Sequence, residues 1–190
     1  MPGALPSETE IGSLPRWARV ALAARCGRRL QQILAAAPGV TREHLRVIDR
    51  AVGAAEVSAA YGIVCHDARD AALAADRLHE RFQYCETMAL PIVSAVACCV
   101  SKAAQYPDGV STAAAYEAAV AAAKFGGMAG QVRGDVQELR RLALDEEWTD
   151  DTPVSPEVFG APDLQGDRLG VGVGEFPREP RSESESQAQG

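Results

Sequence analysis

Five cysteines (Cys26, Cys65, Cys85, Cys98, Cys99) and three histidines (His44, His66, His79) are the side chains here with the widest chemical reach. A zinc centre needs ligands that converge tetrahedrally, and proteins usually supply them as Cys-x2–4-Cys or His-x3–5-His pairs. Neither spacing occurs. Cys98 and Cys99 are adjacent, so on a helix they point about 100° apart, and His79 and Cys85 are too far apart for one helical face. The expectation is reduced thiols packed as small hydrophobes, with no metal and no cofactor.

Cys65-His66-Asp67 carries the residue types of a nucleophile, a base and an orienting acid. Neighbours in sequence diverge in direction, whereas working triads assemble from distant positions. A helix start, with His66 or Asp67 capping and Cys65 packed beneath, is the simpler reading. The acids Asp145, Glu146, Glu147, Asp150 and Asp151 form the densest acidic cluster, and those at a helix C-terminus oppose its macrodipole. A cation should offset that. The nearest supply is the basic row Arg16, Arg19, Arg25, Arg28 and Arg29, which could instead neutralise phosphates. At least one of Arg16, Arg19, Arg25 and Arg29 is expected to pair with an acid between Asp145 and Asp151. Gly126-Gly127-Met128-Ala129-Gly130 lacks the Lys-Ser/Thr of a phosphate loop, and Arg133-Gly134-Asp135 matches an adhesion tripeptide by chance.

The elements that must position these groups are helical. Of 35 alanines, 32 lie between Ala18 and Ala143, and alanine has the best intrinsic helix propensity. The pattern predicts an all-α compact bundle of five or six helices with an irregular, acidic C-terminal tail. The first runs from about Leu14 to Ala37, with Ser13 as N-cap and two apolar stripes that imply more than one neighbour. The second spans about Arg42 to Ala60 behind Thr41. The third runs from Asp67 to about Cys85 through Leu73, Leu78 and Phe82. The fourth, Ile92 to Gln105, is apolar nearly all round and should be the most buried. Ser111 caps the fifth, Thr112 to Lys124, and a sixth carries Val132, Val136, Leu139, Leu142 and Leu144 towards Trp148. The domain reading is a flexible N-terminus over 1–13, a helical domain over 14–148, an extended arm over 149–164 that docks on it, and a disordered tail over 165–190.

Two lysines against 17 arginines, and no asparagine, indicate a gene of high G+C content. The net charge of −7 arises mostly in the tail, so the body is close to neutral and gives no global case for nucleic-acid binding. Residues 1–13 contain no apolar core of a signal peptide, and Met88 to Val100 is too short for a membrane span. A cytoplasmic protein that does not engage membranes is expected.

The segments RWARVALAARCGRRL, LRVIDRAVGAAE and WTDDTPVSPEVFG together resemble a group of uncharacterised, Arg/Ala-rich helical proteins from high-G+C bacteria. That group pairs an Arg/Ala/Cys first helix with a closing D-x-T-P-V-x-P-E-x-F-G stretch. The resemblance covers about a quarter of the chain. It implies a helical fold and an ordered first half of the tail, and it assigns no site. After Phe159-Gly160 this chain continues Ala-Pro-Asp where the group has a Trp-containing apolar segment, so docking of the arm is implied only as far as Phe159.

The functional expectation is a non-enzymatic, cytoplasmic protein-interaction or regulatory protein, its surface formed by Arg16, Arg19, Arg25, Arg28 and Arg29. Two alternatives stand beside it. One is a nucleic-acid or other phosphate-anion binder using the same arginines, and the other a cysteine-dependent hydrolase.

Overall fold

Small side chains decide how this chain packs. Alanine and glycine on facing helices let axes approach closely, so the core gains dispersion contacts where it lacks bulk. In the computed structural model, which describes residues 4–82 and 89–159, the described residues form seven α-helices and no strand. They are α1 (Glu8–Gly12), α2 (Arg16–Leu34), α3 (Arg42–Tyr61), α4 (Ala68–Phe82), α5 (Ala89–Gln105), α6 (Ser111–Gly126) and α7 (Ala129–Asp145), followed by a 3-10 turn, Pro156–Phe159.

The count exceeds the expected five or six because the segment read as a flexible N-terminus holds α1. Ser7 accepts from the Glu10 amide at 3.2 Å while the Glu10 carboxylate accepts from the Ser7 amide at 2.7 Å. This reciprocal capping box satisfies two donors of a one-turn helix. Ile11 and Leu14 are then buried in the core. Ser13 therefore closes α1, its hydroxyl donating to the Glu10 carbonyl, and is not the N-cap of the next helix.

α2 begins behind Pro15, which offers no side-chain cap. Its neighbours are α3, α5, α6 and α7, so the two apolar stripes meet different partners. α5 is as thoroughly buried as expected, but α2 matches it and shares the centre. Where α2, α3 and α5 meet stands Gly27. A Cβ there would lie 2.7 Å from Val52 Cγ2 and 2.9 Å from Val100 Cγ2, so only glycine fits.

The remaining helices start and stop for local reasons. Thr41 and His44 form a capping box for α3, and Gly62 ends it at φ 66°. Gly127, at φ 63°, ends α6. Ser111 sits inside the first turn of α6, buried, with its hydroxyl on the Pro107 carbonyl, and Val110 holds the cap position without a side-chain bond. α4 buries an alanine face (Ala68, Ala71, Ala72, Ala75), which leaves Leu73, expected inside, 47% exposed. α7 stops at Asp145, short of Trp148, and Leu144 faces outward.

Residues 149–159 lie as an arm across α2 and α3. The Val154 amide donates to the Ala59 carbonyl at 2.9 Å, and Val154 and Val158 are buried. The rest of the expected arm, 160–164, and the expected disordered tail, 165–190, lie outside the described residues, as does Cys85.

Candidate functional site

The arginines of α2 are engaged by the protein itself. At the start of the helix, Arg16 pairs with Asp151 and with Asp108, and its Nε donates to the Asp150 carbonyl at 2.8 Å. Its backbone amide donates to Asp150 Oδ1 at 2.7 Å. Because Pro15 cannot cap α2, a carboxylate 134 residues away does so, and negative charge at a helix N-terminus is favourable. The expected pairing between the arginine row and the acids after α7 is present here. Arg19 donates to Ser111 and to the carbonyls of Gly12 and Leu14, and burial pulls its pKa below the usual value.

Further along, Arg25 and Arg29 converge on Asp135 of α7, which is only 5% exposed. Arg25 also reaches Glu138 at 2.8 Å and the Val158 carbonyl at 2.7 Å, tying the arm to the bundle. The hydrogen bonds with Asp135 hold the Arg29 pKa above its ordinary value. Arg28 grips Glu56 with Nε and Nη2, at 3.2 and 2.8 Å, and reaches Asp49 at 2.6 Å. Three arginines thus face three carboxylates (Glu56, Asp135, Glu138) around a cleft of about 260 Å³, and Arg28 also holds Asp49 outside it. A phosphate entering this cleft would have to displace carboxylates already bound. All five arginines therefore have partners within the protein itself.

Another concavity, of about 380 Å³, lies at the end of the bundle where α2 begins. Trp17 and Arg16 contribute to its lining, as do Val64 from the α3–α4 turn and Tyr106 and Val110 from the α5–α6 turn. The Arg16 guanidinium lies 5.7 Å from the centroid of the Trp17 ring. Within hydrogen-bonding range among the described residues, the buried Trp17 N–H finds no acceptor, a cost of about 1–3 kcal/mol in general. Among the described residues nine large apolar side chains are exposed, and five of them (Tyr61, Ile63, Val64, Tyr106, Val110) belong to these two turns. That clustering separates this end from the rest of the surface.

No family model, curated protein or solved structure matches this chain. Its chemistry must therefore be read from the side chains.

Three of the thiols, Cys26, Cys98 and Cys99, are held protonated. Burial first, and Asp135 second, push Cys26 up to about 12. Burial together with hydrogen bonds to Asp76 and Glu117 pushes Cys98 and Cys99 to about 12 as well. Nucleophilic cysteines need the opposite shift. Cys65 directs its thiol at the Ala54 carbonyl, 3.4 Å away, while the His66 ring projects fully into solvent. His66 Nδ1 lies 3.7 Å from Asp67, but the Cys65 thiol is bonded to the Ala54 carbonyl and not to the His66 ring. No three His, Cys, Asp or Glu side chains converge as a metal set among the described residues. Asp135 of the adhesion-like tripeptide is buried against α2, and Arg133 donates to the Ala4 carbonyl.

Sequence reasoning missed Glu56, Asp135 and the end depression. For the two acids a signal existed. Glu56 falls on the apolar series Val52, Ala55, Ala59, and Asp135 on Val132, Val136, Leu139. An acid on a buried stripe must be paired, because an isolated buried charge is prohibitively costly. The depression had no comparable signal, since it joins two turns distant in sequence.

Proposed function

We propose that this protein is a non-enzymatic, cytoplasmic interaction or regulatory protein that docks a protein partner at the end of the bundle where α2 begins. The observation that carries this reading is the set of exposed apolar side chains Val64, Tyr106 and Val110 on the lining of the Trp17 depression. Exposed apolar patches rimmed by polar groups mark association sites more often than they mark catalysis. The arginine row supports it from the other side, since four of its guanidinium groups are committed to internal acids and that of Arg19 to Ser111 and backbone carbonyls. Protonated, buried thiols argue against a cysteine nucleophile. Among the described residues no helix is long and apolar enough to cross a membrane, which suits the cytoplasmic part of the proposal. Kinship with the Arg/Ala-rich group of high-G+C bacteria belongs to the same proposal.

The test compares proteins retained from cells by wild type and by Val110→Asp, a change at an exposed position. A species retained by the first and lost by the second supports docking at this end. Identical retention would defeat it. A gel-shift titration separates the phosphate-binding alternative, because phosphate contacts make affinity fall steeply with salt.

A further inference from the structure

We infer that the Trp17 depression receives an apolar polypeptide segment of another protein whose flanks carry Lys or Arg. This inference rests on the docking reading above and specifies the partner's chemistry.

The depression has the volume of a small binding pocket, which general surveys put at about 300–1,000 Å³. Val64, Tyr106 and Val110 stand on its lining beside Trp17, so an aliphatic or aromatic side chain entering it sheds water against them, while Arg16, Gln105 and Asp108 keep polar groups on the same lining. The rim has the opposite character. Asp108, on the lining, and Asp151, held beside it by Arg16, are 78% and 90% exposed. Arg16, the cation beside them, is 19% exposed, and its guanidinium already serves Asp108, Asp151 and the Asp150 carbonyl. Each aspartate therefore keeps acceptor capacity turned to solvent, since a carboxylate offers about four lone-pair sites. An apolar floor within an acidic rim suits an apolar core between basic flanks, and the charges would add specificity and on-rate.

Other occupants fit less well. Residues 160–190 carry six acids against three arginines, so the chain's own C-terminal part matches the rim poorly. A second copy would bring another net charge of −7.

The experiment uses full-length protein and two fluorescein-labelled synthetic peptides with the same Leu-Phe-Leu core. One is flanked on each side by two lysines and the other by two glutamates, and anisotropy reports binding. The lysine peptide should bind about ten-fold more tightly, the effect of two exposed ion pairs, and the preference should shrink with salt. Asp108→Asn with Asp151→Asn should erase the preference, and Val110→Asp should weaken both peptides. Circular dichroism melting confirms that each variant is folded. Equal or tighter binding of the glutamate peptide overturns the inference, as does lysine-peptide binding indifferent to Val110→Asp. Should neither peptide bind while Val110→Asp still loses its cellular partner, the basic-flank inference fails and the docking reading survives. A wild-type dimer that Val110→Asp converts to monomer, seen by light scattering, also overturns it in favour of a second copy. If partner retention is unchanged by Val110→Asp, the docking reading itself fails.

Discussion

Arg25 Nε donates to the backbone carbonyl of Val158 at 2.7 Å, joining the second helix to a point 133 residues later. The same guanidinium reaches Asp135 at 3.0 Å, so one side chain links α2, α7 and the arm. A planar fork with five fixed donors can satisfy three acceptors at once, which a lysine ammonium at that position could not reproduce in geometry.

Asp135→Ala should be the most damaging change in this cluster. It leaves Arg25 and Arg29 partly buried with their shared acceptor gone, a loss of about 3–5 kcal/mol. Arg25→Ala should cost less, about 2 kcal/mol, because Asp135 keeps Arg29. Urea unfolding midpoints check the order. Arg25→Ala proving worse than Asp135→Ala would contradict the placement of Asp135 at the centre.

Gly27→Ala opposes two principles and so tests the packing directly. Helix propensity alone would stabilise it by about 1 kcal/mol. The added methyl, however, would meet Val52 and Val100 at 2.7 and 2.9 Å, and overpacking costs about 1–3 kcal/mol. A net fall in melting temperature is expected. A rise would mean that α2, α3 and α5 are less closely packed than described.

Val96→Asp should abolish folding. Val96 is wholly inaccessible on α5, and a carboxylate there has no partner to offset its desolvation. Wild-type melting by circular dichroism would show that this face of α5 is exposed to solvent.

Stability should fall on the alkaline side. Cys26, Cys98 and Cys99 rise from an ordinary pKa of 9.0 to about 12 in the fold. The thiol form is therefore favoured by folding, and its contribution is complete below the unfolded pKa. It is lost as pH rises from about 9 through about 12, because the unfolded chain ionises first. Denaturant midpoints measured from about pH 8 to about pH 10 should decline, with a shallower slope in Cys26→Ala. An identical slope in that variant would mean that Cys26 does not titrate differently in the two states.

The helices themselves were legible wherever capping chemistry was local. Thr41, Gly62, Gly127 and the apolar run of α5 all mark boundaries through their own backbone and side-chain preferences. Two misreadings had a different origin. Ser13 has the right type for an N-cap and lies in the right place, but Ser7 and Glu10 claim a turn first, and Asp150 supplies the cap from the far end of the chain. Leu73 follows helical spacing, yet alanines form the buried face of α4, so hydrophobicity alone selected the wrong side. That one of Arg16, Arg19, Arg25 and Arg29 would meet the acids after α7 could be anticipated from charge, but not that it would be Arg16. Which acids would bind Arg25, Arg28 and Arg29 depended on helix order in space, and no spacing along the chain encodes that.

The long reach of α2's contacts also has a meaning in time. The groups that cap Arg16 and receive Arg25 are made 134 and 133 residues after α2 itself. At about 5–20 residues per second, the nascent helix waits on the order of ten seconds before those acceptors exist. During that interval the first turn of α2 has no cap. A chain halted before Asp150 would keep the acids that serve Arg25, Arg28 and Arg29 and yet leave the start of α2 open.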